Sequence, residues 1–209
     1  MFEWFKTVWQ KKYAFIGFAL VIALIPFAVV AEPEALSKTI AVTLGVEQIE
    51  SGIQITVEHV IFDFEPGNRP RREIITATGE SLDTAVKNMG LDRGRDVSLS
   101  HCTAIIISDN LDELRNDILW SLYRRRDLSG SVSVFQTSNG IGAVMQQSID
   151  DGDGRSGLIQ QMARHRMDHG RDHTFDNLLG IVRNIRENRN VRIATISLND
   201  GKLTIPPAP

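Results

Sequence analysis

The sequence predicts an α/β domain with a mixed β-sheet and packed helices, preceded by an apolar N-terminal helix. Three features predict it. Apolar residues between Ile40 and Phe64 recur with the period of two that half-buried strands need. Ile105-Ile106-Ile107 is a continuous apolar run, the mark of a strand buried on both faces, and a helical stripe follows it. Tyr13 to Val30 contains no charged residue and would span about 27 Å as a helix, close to the ~30 Å of a bilayer core.

Lys11 and Lys12 precede that run, so the lysines stay inside and Ala31 onward lies outside. Val29-Val30-Ala31 offers small residues for cleavage before Glu32, while the length of the run equally suits a retained anchor. Residues 1–31 are therefore a signal peptide or signal-anchor helix, 32–37 a short tether containing Pro33, and 38–209 the α/β domain.

Ile40, Val42, Leu44 and Val46 alternate as a first strand, and the chain can turn between Gly45 and Gly52. Ile53, Ile55 and Val57 form a second. After Glu58-His59 the phase shifts to Val60, Phe62 and Phe64, which predicts a bulge. Pro66 to Pro70 is a loop, and Ile74 to Gly79 a third strand. Ser81 caps a helix carrying Leu82, Ala85, Val86 and Met89 and ended by Gly90. Leu91 to Ser100 is a polar connection. Thr103 to Ser108 is the central strand. Asn110 caps a helix with Leu111, Leu114, Ile118 and Leu122 on one stripe, Asp112 and Glu113 in its first turn, and Arg124 to Arg126 at its end. Val132 to Gln136 is a strand and Ile141 to Gln147 a weaker helix. Asp150 to Gly157 is a flexible segment with a helical turn or two after it. Phe175 to Ile185 is a clearer helix, Val191 to Leu198 a strand, and Asn199-Asp200-Gly201 the turn into its hairpin partner, Lys202 to Ile205.

Composition narrows the function. The chain is 42% hydrophobic and 23% charged, as in an ordinary folded domain. Removing Lys6, Lys11, Lys12 and Glu3 with the leader leaves 20 basic and 25 acidic residues, a balance unlike that of a nucleic-acid binder. Cys102 is alone, so no internal disulfide forms.

Several strings in order resemble the N-terminal domain of the Ger(x)C family, the C subunit of spore germination receptors. They begin with Thr39 to Val46 and Thr76 to Ser81. Leu99-Ser100-His101 follows, before the strand from Thr103 to Ser108 and the helix from Leu111. Asp127-Leu128, the strand from Val132, and Val191 to Asn199 with Asp200 to Leu203 complete the set. The resemblance covers roughly Ser37 to Ile205. It implies a membrane-attached, extracytoplasmic subunit that works beside integral-membrane partners in germinant sensing, with no chemistry of its own and no cofactor. The expected site is the outer face of the cytoplasmic (spore inner) membrane. The chain departs from the family in lacking a lipobox cysteine after the signal, which favours a retained anchor, and in stopping at Pro209 without further C-terminal domains. A one-domain relative acting in another sporulation or envelope process fits the residues equally well. A stand-alone extracytoplasmic domain that binds a small ligand is the alternative.

The motifs that suggest chemistry each have a plainer role. His165, His169 and His173 are spaced four apart, as metal ligands on one helical face would be, but Gly170 breaks that face and arginines crowd it. A solvated loop is expected, with no metal. Asp151-Gly152-Asp153-Gly154 fails the EF-hand pattern in both registers. Ser100-His101-Cys102 places neighbours on opposite sides of a strand, so no nucleophile and base meet. Cys102 is expected as a small buried apolar residue and no enzyme activity is expected. Two basic clusters, Arg69, Arg71 and Arg72, and Arg124, Arg125 and Arg126, are the candidate partner contacts, to anionic lipid or an acidic protein.

Overall fold

The computed structural model describes residues 39–61, 71–93, 96–111, 114–152, 157–168 and 177–204, and all of them belong to one compact unit. The leader, the tether and the loop holding Phe62, Phe64 and Pro66 to Pro70 lie outside the described residues.

Strand β1 (Thr39–Ile49) and strand β2 (Gly52–Ile61) form a hairpin, and β2 continues antiparallel into β3 (Arg71–Gly79). Helix α1 (Leu82–Arg93) follows, started by Ser81, whose Oγ accepts the Thr84 N–H at 3.2 Å. Short β4 (Val97–Ser98) runs parallel to the first residues of β1. Strand β5 (Ala104–Ser108) lies parallel to β1, and β6 (Ser133–Thr137) parallel to β5, with α2 (Leu114–Arg124) between them in the chain. Helices α3 (Ile141–Asp150), α4 (Leu158–Asp168) and α5 (Leu178–Arg186) precede β7 (Ala194–Thr195), which pairs with β6. Among the described residues the main sheet has seven strands in the path β3-β2-β1-β5-β6-β7, with β4 on β1. A separate hairpin joins β8 (Ser197–Asn199) to β9 (Lys202–Thr204). Its turn residues Asp200 and Gly201 both have positive φ, as the mirror-image hairpin turn requires.

The central-strand expectation holds: Ile105, Ile106 and Ile107 are all 0% exposed. Their alternation builds two apolar clusters, one on each face. Ile105 and Ile107 pack with Met89 of α1, Leu119 and Leu122 of α2, and Ile181 of α5. Ile106 packs with Phe135, with Ile141, Val144 and Met145 of α3, and with Ile159 of α4. Helix α3 sits so close to the sheet that a Cβ on Gly45 would overlap Ile141 Cγ2, so only glycine fits under it.

Several expectations are corrected. Strand β1 runs on to Ile49, leaving only Glu50 and Ser51 for the turn. The irregularity near Glu58 exists, but its extra residue is Val42 of β1, because the register shifts between Ala41 and Thr43 opposite an uninterrupted β2. The phase shift was placed after Glu58-His59 in β2, but β2 pairs without interruption and Glu58 is buried. Asn110 does not cap α2. It lies in a 3-10 turn (Asp109–Leu111), where its amide donates to Gln48 O at 2.9 Å and pins the far end of β1. Leu114 leaves the expected stripe, being 40% exposed, and Leu119 takes the buried position. Val191 to Leu198 pairs as two short pieces rather than one strand, the polar connection after α1 contains β4, and α4 is longer than a turn or two.

Replacing Ile106 with Ala is expected to cost about 2–5 kcal/mol, the range for truncating a fully buried aliphatic side chain, measured by urea unfolding. Asp at this position is expected to prevent folding, seen as loss of the cooperative transition.

Candidate functional site

Beneath α4 the second face of the sheet turns polar. Glu58 on β2 and Arg72 on β3 are diagonal neighbours across the antiparallel ladder, since Glu58 pairs with Ile74 and Val60 with Arg72. Both side chains point to the same face and are buried, at 0% and 7% exposure. Arg72 Nη1 donates to Glu58 Oε1. Thr43 Oγ1, aimed here by the bulge at Val42, donates to Glu58 Oε2 at 2.7 Å. Gln160 of α4 donates its amide to the same oxygen at 2.8 Å, and its Oε1 accepts from both Arg72 Nη1 and Nη2 at 3.3 Å. Both carboxylate oxygens thus carry donors, which offsets the desolvation of two buried charges.

This cluster fastens α4 to the sheet. Ser148 Oγ accepts the Ile159 N–H at 2.9 Å, and a Cβ on Gly157 would lie 2.8 Å from that same Oγ. The start of α4 is therefore held against both α3 and Glu58. Sequence reasoning missed Thr43, Glu58 and Gln160 as a group. The available signal was Glu58 lying beside His59 between the apolar residues Val57 and Val60-Ile61.

The two basic clusters fare differently. Arg69 lies outside the described residues. Arg71 is exposed, but Arg72 leaves the expected surface cluster for the interior, because adjacent strand residues point to opposite faces. Arg125 is tied to Asp127 at 3.1 Å and Asp83 at 3.3 Å. Arg124 and Arg126 are exposed, and among the described residues neither is paired with a carboxylate.

The sheet brings the remaining arginines to one end. Arg71 pairs with Ile61 at the last residue of β2, which is level with Thr39 at the start of β1. Thr39 pairs with Val97 of β4. Leu99, just beyond, donates its N–H to Asp127 at 3.5 Å, which places the loop after α2 at the same end. The start of α5 joins it, since the Leu179 N–H donates to Gly130 O at 2.9 Å.

Ser100 and His101 are exposed and Cys102 is buried, its Sγ 3.1 Å from Ala104 O. Burial pushes the Cys102 thiol up to about 12, with nearby acidic charge adding to that effect. Among the described residues no group of three His, Cys, Asp or Glu side chains is placed to hold a metal. His169 and His173, the His165 side chain, and Asp153 lie outside that description.

Removing one partner of the buried pair, by E58A or R72M, is expected to cost about 3–5 kcal/mol in urea unfolding, because the other charge stays buried alone. The double variant E58L/R72M is expected to regain most of that loss. Cys102 is expected to resist thiol reagents in the folded protein and to react on unfolding. Its raised folded value means that the thiol must stay protonated, so its contribution is intact at neutral pH and is lost as pH rises toward about 12. Following unfolding midpoints of wild type and C102A through the alkaline range checks the sign.

No curated protein and no solved structure matches the chain. One family does: residues 37–198 match the Spore germination protein N-terminal domain. The matched span takes in every strand of the main sheet, the buried Glu58 cluster and the end carrying Arg71, Arg124 and Arg126. The chain belongs to the spore germination protein N-terminal domain family.

Proposed function

We propose that the protein is a non-enzymatic, membrane-associated subunit on the extracytoplasmic face of the cytoplasmic, spore inner, membrane. It acts through protein partners in germination or a related sporulation or envelope process. The family membership across residues 37–198 carries this reading. The N-terminal segment supports the location: Lys11 and Lys12 before an uncharged run favour an outward-facing domain, whether residues 1–31 are cleaved or retained. Among the described residues no helix is long and apolar enough to cross a membrane, so attachment falls to that segment. Cys102 is buried and cannot serve as a lipid attachment point while the domain is folded.

A domain joined to an anchor by residues 32–37 is confined close to the membrane, since six extended residues reach at most about 20 Å. Confinement raises the local concentration of any membrane-embedded partner, so a weak contact suffices. Arg71, Arg124 and Arg126 are exposed basic charges at that end.

Spores lacking the protein are expected to form in normal yield and to respond poorly to germinants. Normal germination with a lower spore yield would move the function to another envelope process. Crosslinking in intact membranes is expected to join the protein to an integral-membrane protein, and its recovery only as a free monomer would favour a lone ligand-binding domain. Protease added to wall-stripped cells is expected to digest the domain, and protection until lysis would reject the topology.

A further inference from the structure

The end of the sheet that gathers the arginines also gathers exposed apolar side chains. Five large apolar side chains are exposed among the described residues, and Ile61 at 37%, Tyr123 at 38% and Leu179 at 48% lie at this end. Ile61 sits beside Arg71 in the ladder. Tyr123 and Leu179 flank Gly130, where an added Cβ would lie 3.6 Å and 3.4 Å from them. Leu114, by contrast, begins α2 at the opposite end, next to the turn in which Asn110 bonds to Gln48. Packing orients the aromatic ring: Trp120, partly buried against the core, meets Tyr123 edge to face with centroids 6.1 Å apart.

Two further facts select the occupant. Thr39, the first described residue of the domain and the point where it joins the tether, lies at this end, level with Ile61 and two residues before Ala41, which pairs with His59. Basic charges outnumber acidic ones here: Arg71, Arg124 and Arg126 are exposed. Asp127, the carboxylate nearest them in the loop, is held by Arg125, and Asp96 stands exposed beside Val97. Arginines interleaved with a tyrosine and aliphatic tips fit the headgroup region of a bilayer, where amphipathic rings and basic side chains are both favoured.

We propose that this end of the domain, through Ile61, Arg71, Tyr123, Arg124, Arg126 and Leu179, lies directly on an anionic lipid surface. The inference rests on the membrane-tethered reading and narrows it: the basic end meets lipid headgroups, which leaves the flanks of the domain for protein partners.

The test uses the full chain reconstituted in nanodiscs of phosphatidylcholine, with or without phosphatidylglycerol, and reads amide hydrogen exchange. Exchange is expected to slow at Ile61, at Arg71, over Tyr123–Gly130 and in the first turn of α5 only when phosphatidylglycerol is present, and to recover in high salt. Each arginine at an anionic surface is worth roughly fivefold in the docking equilibrium, so R124E/R126E is expected to abolish the protection. K87E/K202E makes the same change in net charge on α1 and β9 and is expected to leave it intact. Equal exchange in both lipids, with the chain stably held in the discs, overturns the lipid assignment alone. Protection that appears only in native membranes assigns the surface to a protein and also overturns it. A chain that never enters the discs overturns the tethered reading, and this inference with it.

Discussion

Strand β1 hydrogen-bonds antiparallel to β2 along one edge, from Ala41 to Ile49, and parallel to β5 along the other, from Thr43 to Val46. Everything else hangs from that double pairing. It joins the hairpin half of the sheet, whose contacts are local in sequence, to the parallel half, whose strands need helical crossovers. It also fixes the relative register of the strands, so that β5 and β6 start level with Thr43 while β1 and β4 extend further, to Thr39 and Val97. The bulge at Val42 shifts the β1–β2 register by one residue and sets Thr43 opposite Glu58.

The two faces of the sheet are stabilised differently. One is covered by α1, α2 and α5 over a continuous apolar layer. The other has α3 pressed onto Gly45 over an apolar patch and α4 held by the Glu58, Arg72, Thr43 and Gln160 cluster. Apolar packing alone tolerates sliding, whereas a buried carboxylate with donors on both oxygens accepts α4 in one register. For α4 the ion pair is a device of position more than of net stability, because desolvation consumes most of what the pair gains.

Function follows from that geometry in an indirect way. Among the described residues the Cys102 thiol is held protonated and inward, and His101 faces solvent. What the fold does deliver is a surface in which the point of chain attachment, exposed arginines and exposed apolar tips coincide. The proposed role, a domain that works by where it is held and what it touches, rests on membership of the spore germination protein N-terminal domain family.

Much of this was legible in the residues. Period-two alternation located β1 and β2, a third strand was legible at Ile74 to Gly79, the triple isoleucine located the centre, Ser81 and Asp200-Gly201 located a cap and a turn, and the order of strings pointed to the family. These signals are local, and they survive in any environment because they depend on the backbone and on neighbours a few residues away. Other properties depended on partners that only folding brings near. Glu58 is buried because Arg72, 14 residues on, and Gln160, 102 residues on, close over it. Asn110 abandons its helix for Gln48, 62 residues back, and Leu114 yields its place to Leu119 once α2 begins later than its stripe implies. Arg71 and Arg72, adjacent in the chain, part to opposite faces, and Arg71 joins the rim that also carries Arg124 and Arg126. The sequence by itself determined which segments are strands and helices, and the tertiary structure decided which charges are buried, because burial of a charge is set by distant donors that no local pattern records.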